Sequence, residues 1–499
     1  MTLPINKLNR LNWIVRKMAL SLYNTMTNQK EEFEPMEEGK VKMFTCGQTI
    51  YDDLHVGNAR PYHVWDVLHR YLEWKGYEVF HVQNITDVGH LTDDEDQGED
   101  KVEKRAKEKG IIPRELVTKQ IRKYYREMDE LNIDCHDVVP RATGHIPEII
   151  EAVEKIMENG YAYERNGSVY FDVQKFHEEH GYAKLPGRDL EELKAGEGGR
   201  VTEEELEEKK SPLDFALWIK ADSGHLMKWR SPWSIGYPGW HIEDSAFTNK
   251  YFGEYHDIHG GGVDHIAIHH PNERAQDIAI NDMDDEPVSY WLHTEFLTVN
   301  GEKMSKSKGN FYTVKELLDK YGGETLRMFY ARSHYRKQVD YNENSIKDAE
   351  EKLEKLYNTL YSVKTSEGGE NTDLKPEIKK VKEDFEKAMD DDLNTPEAVN
   401  VLLRFSKQIN KSLDNKKEIL EEAVYTLKEL GKILGLQLDL SKKQEAGERS
   451  EEVIDLIVEI RDKLREKEEY ELTDEIRSRL SEIGIELQDT DEGTKWKKI

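Results

Sequence analysis

Cysteine is nearly absent: two residues, Cys46 and Cys135, in a chain of 499. Two sulfurs cannot staple a chain of this length, which excludes a disulfide framework and leads us to expect a cytoplasmic protein. Long apolar runs are also missing, so no membrane span is expected, and "MTLPINKLNRLNWIVRKM" lacks the small-residue cleavage site of a secretory signal. Residues 1–17, basic and amphipathic, read as a start-site extension before Met18, with a short docking helix as the alternative. Basic charge is in the minority, 72 Lys and Arg against 101 Asp and Glu, for a formal net charge of −29. Such a halophile-like acidic surface repels polyanions, so a nucleic-acid partner would have to be met by local basic patches. No internal repeat or sustained heptad is present, which excludes solenoids and long coiled coils.

What is present is periodic. "VKMFTCG" reads as an apolar strand; Tyr62, Trp65, Leu68, His69 and Leu72 recur at helical spacing; "YEVFHVQNI" reads as a buried strand ending at Thr86. Strand, loop, helix and strand in that order open a parallel nucleotide-binding sheet. The expected architecture is an α/β Rossmann-like catalytic domain in two segments, 18–140 and 235–340, split by an inserted connective domain at 141–234. The insertion carries a helix at Ile146–Asn159 and a hairpin turning on Asn166–Gly167. An α-helical bundle at 341–440 and a small C-terminal module at 441–499 follow.

Three motifs stand at strand ends. "HVGN" places His55, Gly57 and Asn58 at a strand-to-helix junction, where backbone amides favour anions and glycine admits close approach. "HGGGVD" follows the short strand "YHDI", with Gly262 allowing close contact and Asp264 able to accept from ribose hydroxyls. "KMSKS", Lys303, Met304, Ser305, Lys306 and Ser307, follows the apolar "FLTVN" as a punctuated loop. Any one alone reads as an ordinary turn. Together, at the carboxyl edge of one sheet, two lysines would clamp a triphosphate and offset the charge developing on departing pyrophosphate.

This constellation resembles the class I aminoacyl-tRNA synthetases, with KMSKS matched letter for letter and Asn58 replacing the last histidine of the HIGH-type signature. "FTCGQTIYDDLHVGNAR", "SPLDFALW", "GYPGWHIEDSA", "DIHGGGVDH", "HHPNERAQ" and "DDDLNTPEA" narrow the resemblance to the cysteinyl-tRNA synthetases. The resemblance implies ATP-dependent ligation of L-cysteine to cysteine tRNA through cysteinyl-adenylate, with ATP as substrate accompanied by Mg²⁺ and a monomer as the working unit. It implies His55, Asn58, Lys303 and Lys306 as catalytic residues, and Gly47, Thr86 and Trp240 as contacts to the substrate cysteine. It implies a basic terminus, Trp496, Lys497 and Lys498, meeting the tRNA. It also implies one zinc ion, held by Cys46, His269 and Glu273, with Asp244 standing where the family has a second cysteine.

An aspartate conserves the formal charge of the donor set, and zinc accepts carboxylate oxygen at about 2.0–2.2 Å against about 2.3 Å for sulfur. A surviving metal site is therefore expected; the alternative leaves Cys46 an ordinary buried thiol. His269 and Glu273, four residues apart, share one face if helical, and Pro271 between them then belongs in the first turn. His270 is expected to orient a carboxylate or to pack, and Cys135 to be structural. Two other activities remain open: a tRNA-independent cysteine ligase of the amino-sugar type, and a non-catalytic RNA-binding paralogue.

Overall fold

The computed structural model describes residues 19–89, 100–133, 136–185, 187, 190, 208–305, 309–467, 469–482, 484–490 and 493–498, without the side chains of 442–452, 466, 490, 493 and 498. The start-site extension, Cys135, Lys306, Ser307 and the Lys498 side chain lie outside the described residues. The chain divides into two compact units, one ending at Gln437 and one beginning at Leu438.

At the centre of the first unit is a four-stranded, wholly parallel sheet, ordered Val288–Thr294, His256–Gly262, Lys40–Thr49, Glu78–Thr86. Its strands are buried along most of their length, including Met43, Phe44, Val82, Ile258 and Trp291, as expected of a sheet covered on both faces. The helix Val56–Lys75 connects the two strands expected from the pattern. It begins where His55 accepts from Asn58 N and ends at Gly76, whose φ of 98° supplies the left-handed cap.

The inserted sheet is five-stranded and antiparallel, ordered Ala162–Arg165, Ser168–Phe171, Ala216–Lys220, Ile235–Pro238, Trp229–Arg230. Its first hairpin turns on Asn166 and Gly167, both at positive φ. The strand Ile235–Pro238, within the range ascribed above to the catalytic segment, is hydrogen-bonded in this inserted sheet. The glycines of "HGGGVD" differ from expectation too: they belong to the strand His256–Gly262 itself and do not follow it. Close packing explains why. A Cβ at Gly260 would lie 2.9 Å from the Trp65 ring, and one at Gly261 2.6 Å from His270 Cε1.

Lys303 likewise closes a short strand, Glu302–Lys303, paired with Leu297–Val299. From Glu343 to Ile433 the first unit is helical, packed through buried residues such as Leu356, Phe385, Leu402 and Leu427. Arg60, at 1% exposure, donates to the carbonyls of Glu295, Phe296, His334 and Lys337, tying the first helix to the segment around the lysine motif. In the second unit, helices Leu440–Glu466 and Tyr470–Glu482 precede a hairpin, Ile485–Thr490 with Gly493–Lys498. Among the described residues no helix is long and apolar enough to cross a membrane.

Candidate active site

The first motif meets the lysine segment directly. Val56 N donates to Tyr312 O and Val314 N to Leu54 O, and the His55 and Phe311 rings lie 5.4 Å apart. A Cβ on Gly57 would stand 3.1 Å from His55 Nδ1 and 3.3 Å from Met304 Cε, so Met304 lies close against the helix start. Asn58 Nδ2 donates to Gln48 Oε1. Asn310 ties the lysine segment to itself, accepting from Ser305 N and donating to Lys303 O. Lys303 and Asp264 are exposed.

Cys46, near the carboxyl end of its strand, faces a buried cluster drawn from two helices. Its sulfur and one ligand atom each from Asp244, His269 and Glu273 lie within 4.8 Å of one another. His269 Nε2 is 3.2 Å from Asp244 Oδ2 and 2.9 Å from Glu273 Oε1. His269 is the first residue of the helix His269–Asn281, which puts Pro271 in the first turn, where its missing N–H costs nothing. Asp244 sits in the first turn of Ile242–Phe252.

The cluster fits a divalent cation. Among the described residues neither Glu273 oxygen makes a hydrogen bond, although the Nε2 atoms of His269 and His259 stand 2.9 and 2.8 Å away. Burial pushes Asp244 up to about 6, the charge of Glu273 adding to it, and burial with that same charge raises the Cys46 thiol well above its ordinary value. Burial also opposes ionisation of Glu273, but the charges of His269 and His259 outweigh it and hold this carboxyl low. Three acids this close repel when ionised, and a cation reverses the balance.

The proposed substrate contacts border this cluster. The Trp240 ring stacks on His269 at 4.8 Å. Thr86 Oγ1 donates to Glu243 Oε1 at 3.3 Å. Gly47 has no room for a side chain, since a Cβ would lie 1.7 Å from Asn84 O. Asn84 is the residue that sequence reasoning missed: its amide accepts from Gly47 N and donates to both Thr86 Oγ1 and Asp244 Oδ1. Its position in "NITD", two residues before Thr86 and so on the same face of the strand, was the available signal. His270, expected to orient a carboxylate or to pack, packs: its buried ring lies 5.1 Å from Trp291 and 4.8 Å from His293, with Nε2 3.2 Å from Cys46 Sγ.

In the second unit, Trp496 is half-buried against Ile454, Val458, Leu480, Ile485 and Leu487, with its indole N–H on Asp455 Oδ1. Lys497 is exposed and pairs with Glu486.

Residues 32–351 match the family of class I (C) tRNA synthetase catalytic domains, and residues 384–439 match the DALR domain. The chain is 46% identical to the cysteine–tRNA ligase of Thermococcus gammatolerans over 495 residues, 97% of this chain and 100% of that protein. It is 43% identical to that of Chlorobium chlorochromatii over 96% of this chain and 99% of that one. The Mycobacterium tuberculosis methionyl-tRNA synthetase structure, in complex with methionyl-adenylate, shares the fold at TM-score 0.54 and 15% identity, covering 80% of this chain and 90% of that one. Parallel sheet, motif order and near full-length identity agree: the chain belongs to the cysteinyl-tRNA synthetase family of class I.

Proposed function

We infer that the protein joins L-cysteine to cysteine tRNA at the expense of ATP. In the first step the cysteine carboxylate attacks the α-phosphorus of ATP, forming cysteinyl-adenylate and releasing pyrophosphate. In the second, a terminal ribose hydroxyl of the tRNA attacks the adenylate carbonyl and AMP leaves. The single observation that carries this reading is the four-donor cluster around Cys46 at the carboxyl end of the parallel sheet, in a chain that also keeps KMSKS.

His55 and Asn58, at the helix start, are positioned to hydrogen-bond ATP phosphates, and Lys303 with Lys306 to stabilise the leaving pyrophosphate. Gly262 and Asp264 serve the ribose, with Met304, Ser305 and Ser307 completing the ATP loop. Gly47 and Thr86 orient the amino and carboxylate groups of cysteine, and Trp240 walls the pocket. Cys46, Asp244, His269 and Glu273 hold zinc. Bound there, the ion supplies a Lewis acid that prefers a thiolate to a protonated alcohol, so cysteine is separated from serine without an editing step. Trp496, Lys497 and Lys498 are assigned to the tRNA, their local positive charge meeting phosphate despite the acidic whole.

Cysteine-dependent ATP–pyrophosphate exchange, followed by charging of a cysteine tRNA transcript, tests the reading. Both reactions are expected. Exchange without charging would favour the tRNA-independent ligase, and failure of exchange would remove both enzymatic readings.

A further inference from the structure

We propose that the metal centre contains a second donor set, Cys46, His259, His270 and Glu273, which overlaps the set named above and can hold the ion without Asp244. The proposal rests on the zinc reading of the preceding section. One ligand atom from each of these four buried residues lies within 4.8 Å of the others. Sulfur, two imidazoles and a carboxylate are all donor types that zinc accepts in fourfold coordination.

Both added imidazoles are already oriented as ligands. His259 Nδ1 lies 3.0 Å from His256 Nε2, which turns His259 Nε2 inward, 2.8 Å from Glu273 Oε2. His270 Nδ1 lies 2.8 Å from His293 Nε2, whose own Nδ1 meets Thr25 Oγ1 at 2.8 Å. His270 Nε2 is thereby turned to Cys46 Sγ. Partners of this kind on the outer nitrogen fix ring orientation and the inward lone pair of a metal-binding histidine. His259 Nε2 and both Glu273 oxygens, all buried, make no hydrogen bond among the described residues. Gly261 makes the arrangement possible, since His270 Cε1 and His265 Nδ1 lie 2.6 and 2.7 Å from where its Cβ would be.

A thiolate and one carboxylate in the second set match the charge of a divalent cation, and Asp244 remains buried beside it. Because Cys46 and Glu273 are common to both, the centre takes a single ion that can exchange between the two arrangements. Replacing the family's cysteine by Asp244 therefore does not endanger the metal.

The test is zinc content by elemental analysis, and zinc affinity by competition with a chromophoric chelator, on the wild type and two double variants. Asp244→Ala/His269→Ala is expected to retain one equivalent of zinc, with affinity lowered by no more than about 100-fold. Asp244→Ala/His259→Ala is expected to lose it. Folded Asp244→Ala/His269→Ala protein without zinc, or zinc retained by Asp244→Ala/His259→Ala, overturns the second set while leaving the zinc reading standing. A wild type without zinc overturns both. Should a double variant not fold, Co²⁺ added to Asp244→Ala/His270→Ala decides. A tetrahedral cobalt spectrum equal to that of Asp244→Ala overturns the proposal, and its loss supports it.

Discussion

Asn84 Nδ2 donates to Asp244 Oδ1 over 2.5 Å, with both side chains buried. The same amide receives Gly47 N, so one residue positions a proposed metal ligand and a proposed substrate contact together. Asn84→Ala is expected to weaken zinc binding about 10–100-fold, as loss of a group that orients a ligand does elsewhere, and to raise KM for cysteine. Chelator competition and exchange kinetics check this, and unchanged values for both would remove Asn84 from the site.

Gly47 faces the backbone of the neighbouring strand, not the movable end of a side chain. Its would-be Cβ lies 1.7 Å from Asn84 O, so Gly47→Ala must shift a central strand. A cost of about 1–3 kcal/mol or more is expected. Urea unfolding reads it as a lowered midpoint at constant slope; a midpoint unchanged within error would show that the strand yields freely.

Arg60 illustrates how a single buried cation can hold distant segments. Its guanidinium satisfies carbonyls of residues 295, 296, 334 and 337. Arg60→Met fills similar volume but leaves those carbonyls unsatisfied, at about 1–3 kcal/mol for the first of them. Because the loss falls beside the lysine motif, KM for ATP is expected to rise as stability falls. A variant as stable as wild type contradicts the assignment.

The second unit has a pH dependence with a definite sign. Burial opposes ionisation of Asp489, but hydrogen bonds from Arg461 and Thr494 and the charges of Arg461 and Arg477 win and hold its pKa well below the usual carboxylate range. Arg465 Nη1 also lies 2.9 Å from this carboxylate. A depressed carboxylate stabilises the fold fully above its unfolded pKa of about 3.9 and loses that contribution as pH falls toward the folded value. Amide hydrogen exchange of residues 438–499 in the full chain should show the stability of this unit declining below about pH 4. Asp489→Asn should flatten that decline and lower stability at neutral pH; an unaltered acid limb would discount the network.

Much of the catalytic half was legible because its signals are local. Apolar runs and helical spacing marked the strands ending near Cys46 and at Thr86 and the helix between them. The interval of four residues from His269 to Glu273, with Pro271 inside it, placed the helix start correctly. Strand limits were less legible. Gly260, Gly261 and Gly262 carry a breaker's signature, yet they extend a strand because Trp65, His265, His270 and Asp264 occupy the space their side chains would fill. Ile235–Pro238 reads from the sequence as the start of the second catalytic segment, yet it hydrogen-bonds to Ala216–Lys220 of the inserted sheet.

By itself the sequence determined the chemistry at hand: the donor types at Cys46, Asp244, His269 and Glu273, and the motifs proposed to bind phosphate with their order along the chain. Only the tertiary structure decided which groups share the centre, bringing His259 and His270 to the same sulfur and Asn84 to the same carboxylate. The reason is physical. Residue type and short-range spacing fix charge, lone pairs and local faces, whereas convergence within a few ångströms depends on strand pairing and helix packing between segments more than a hundred residues apart.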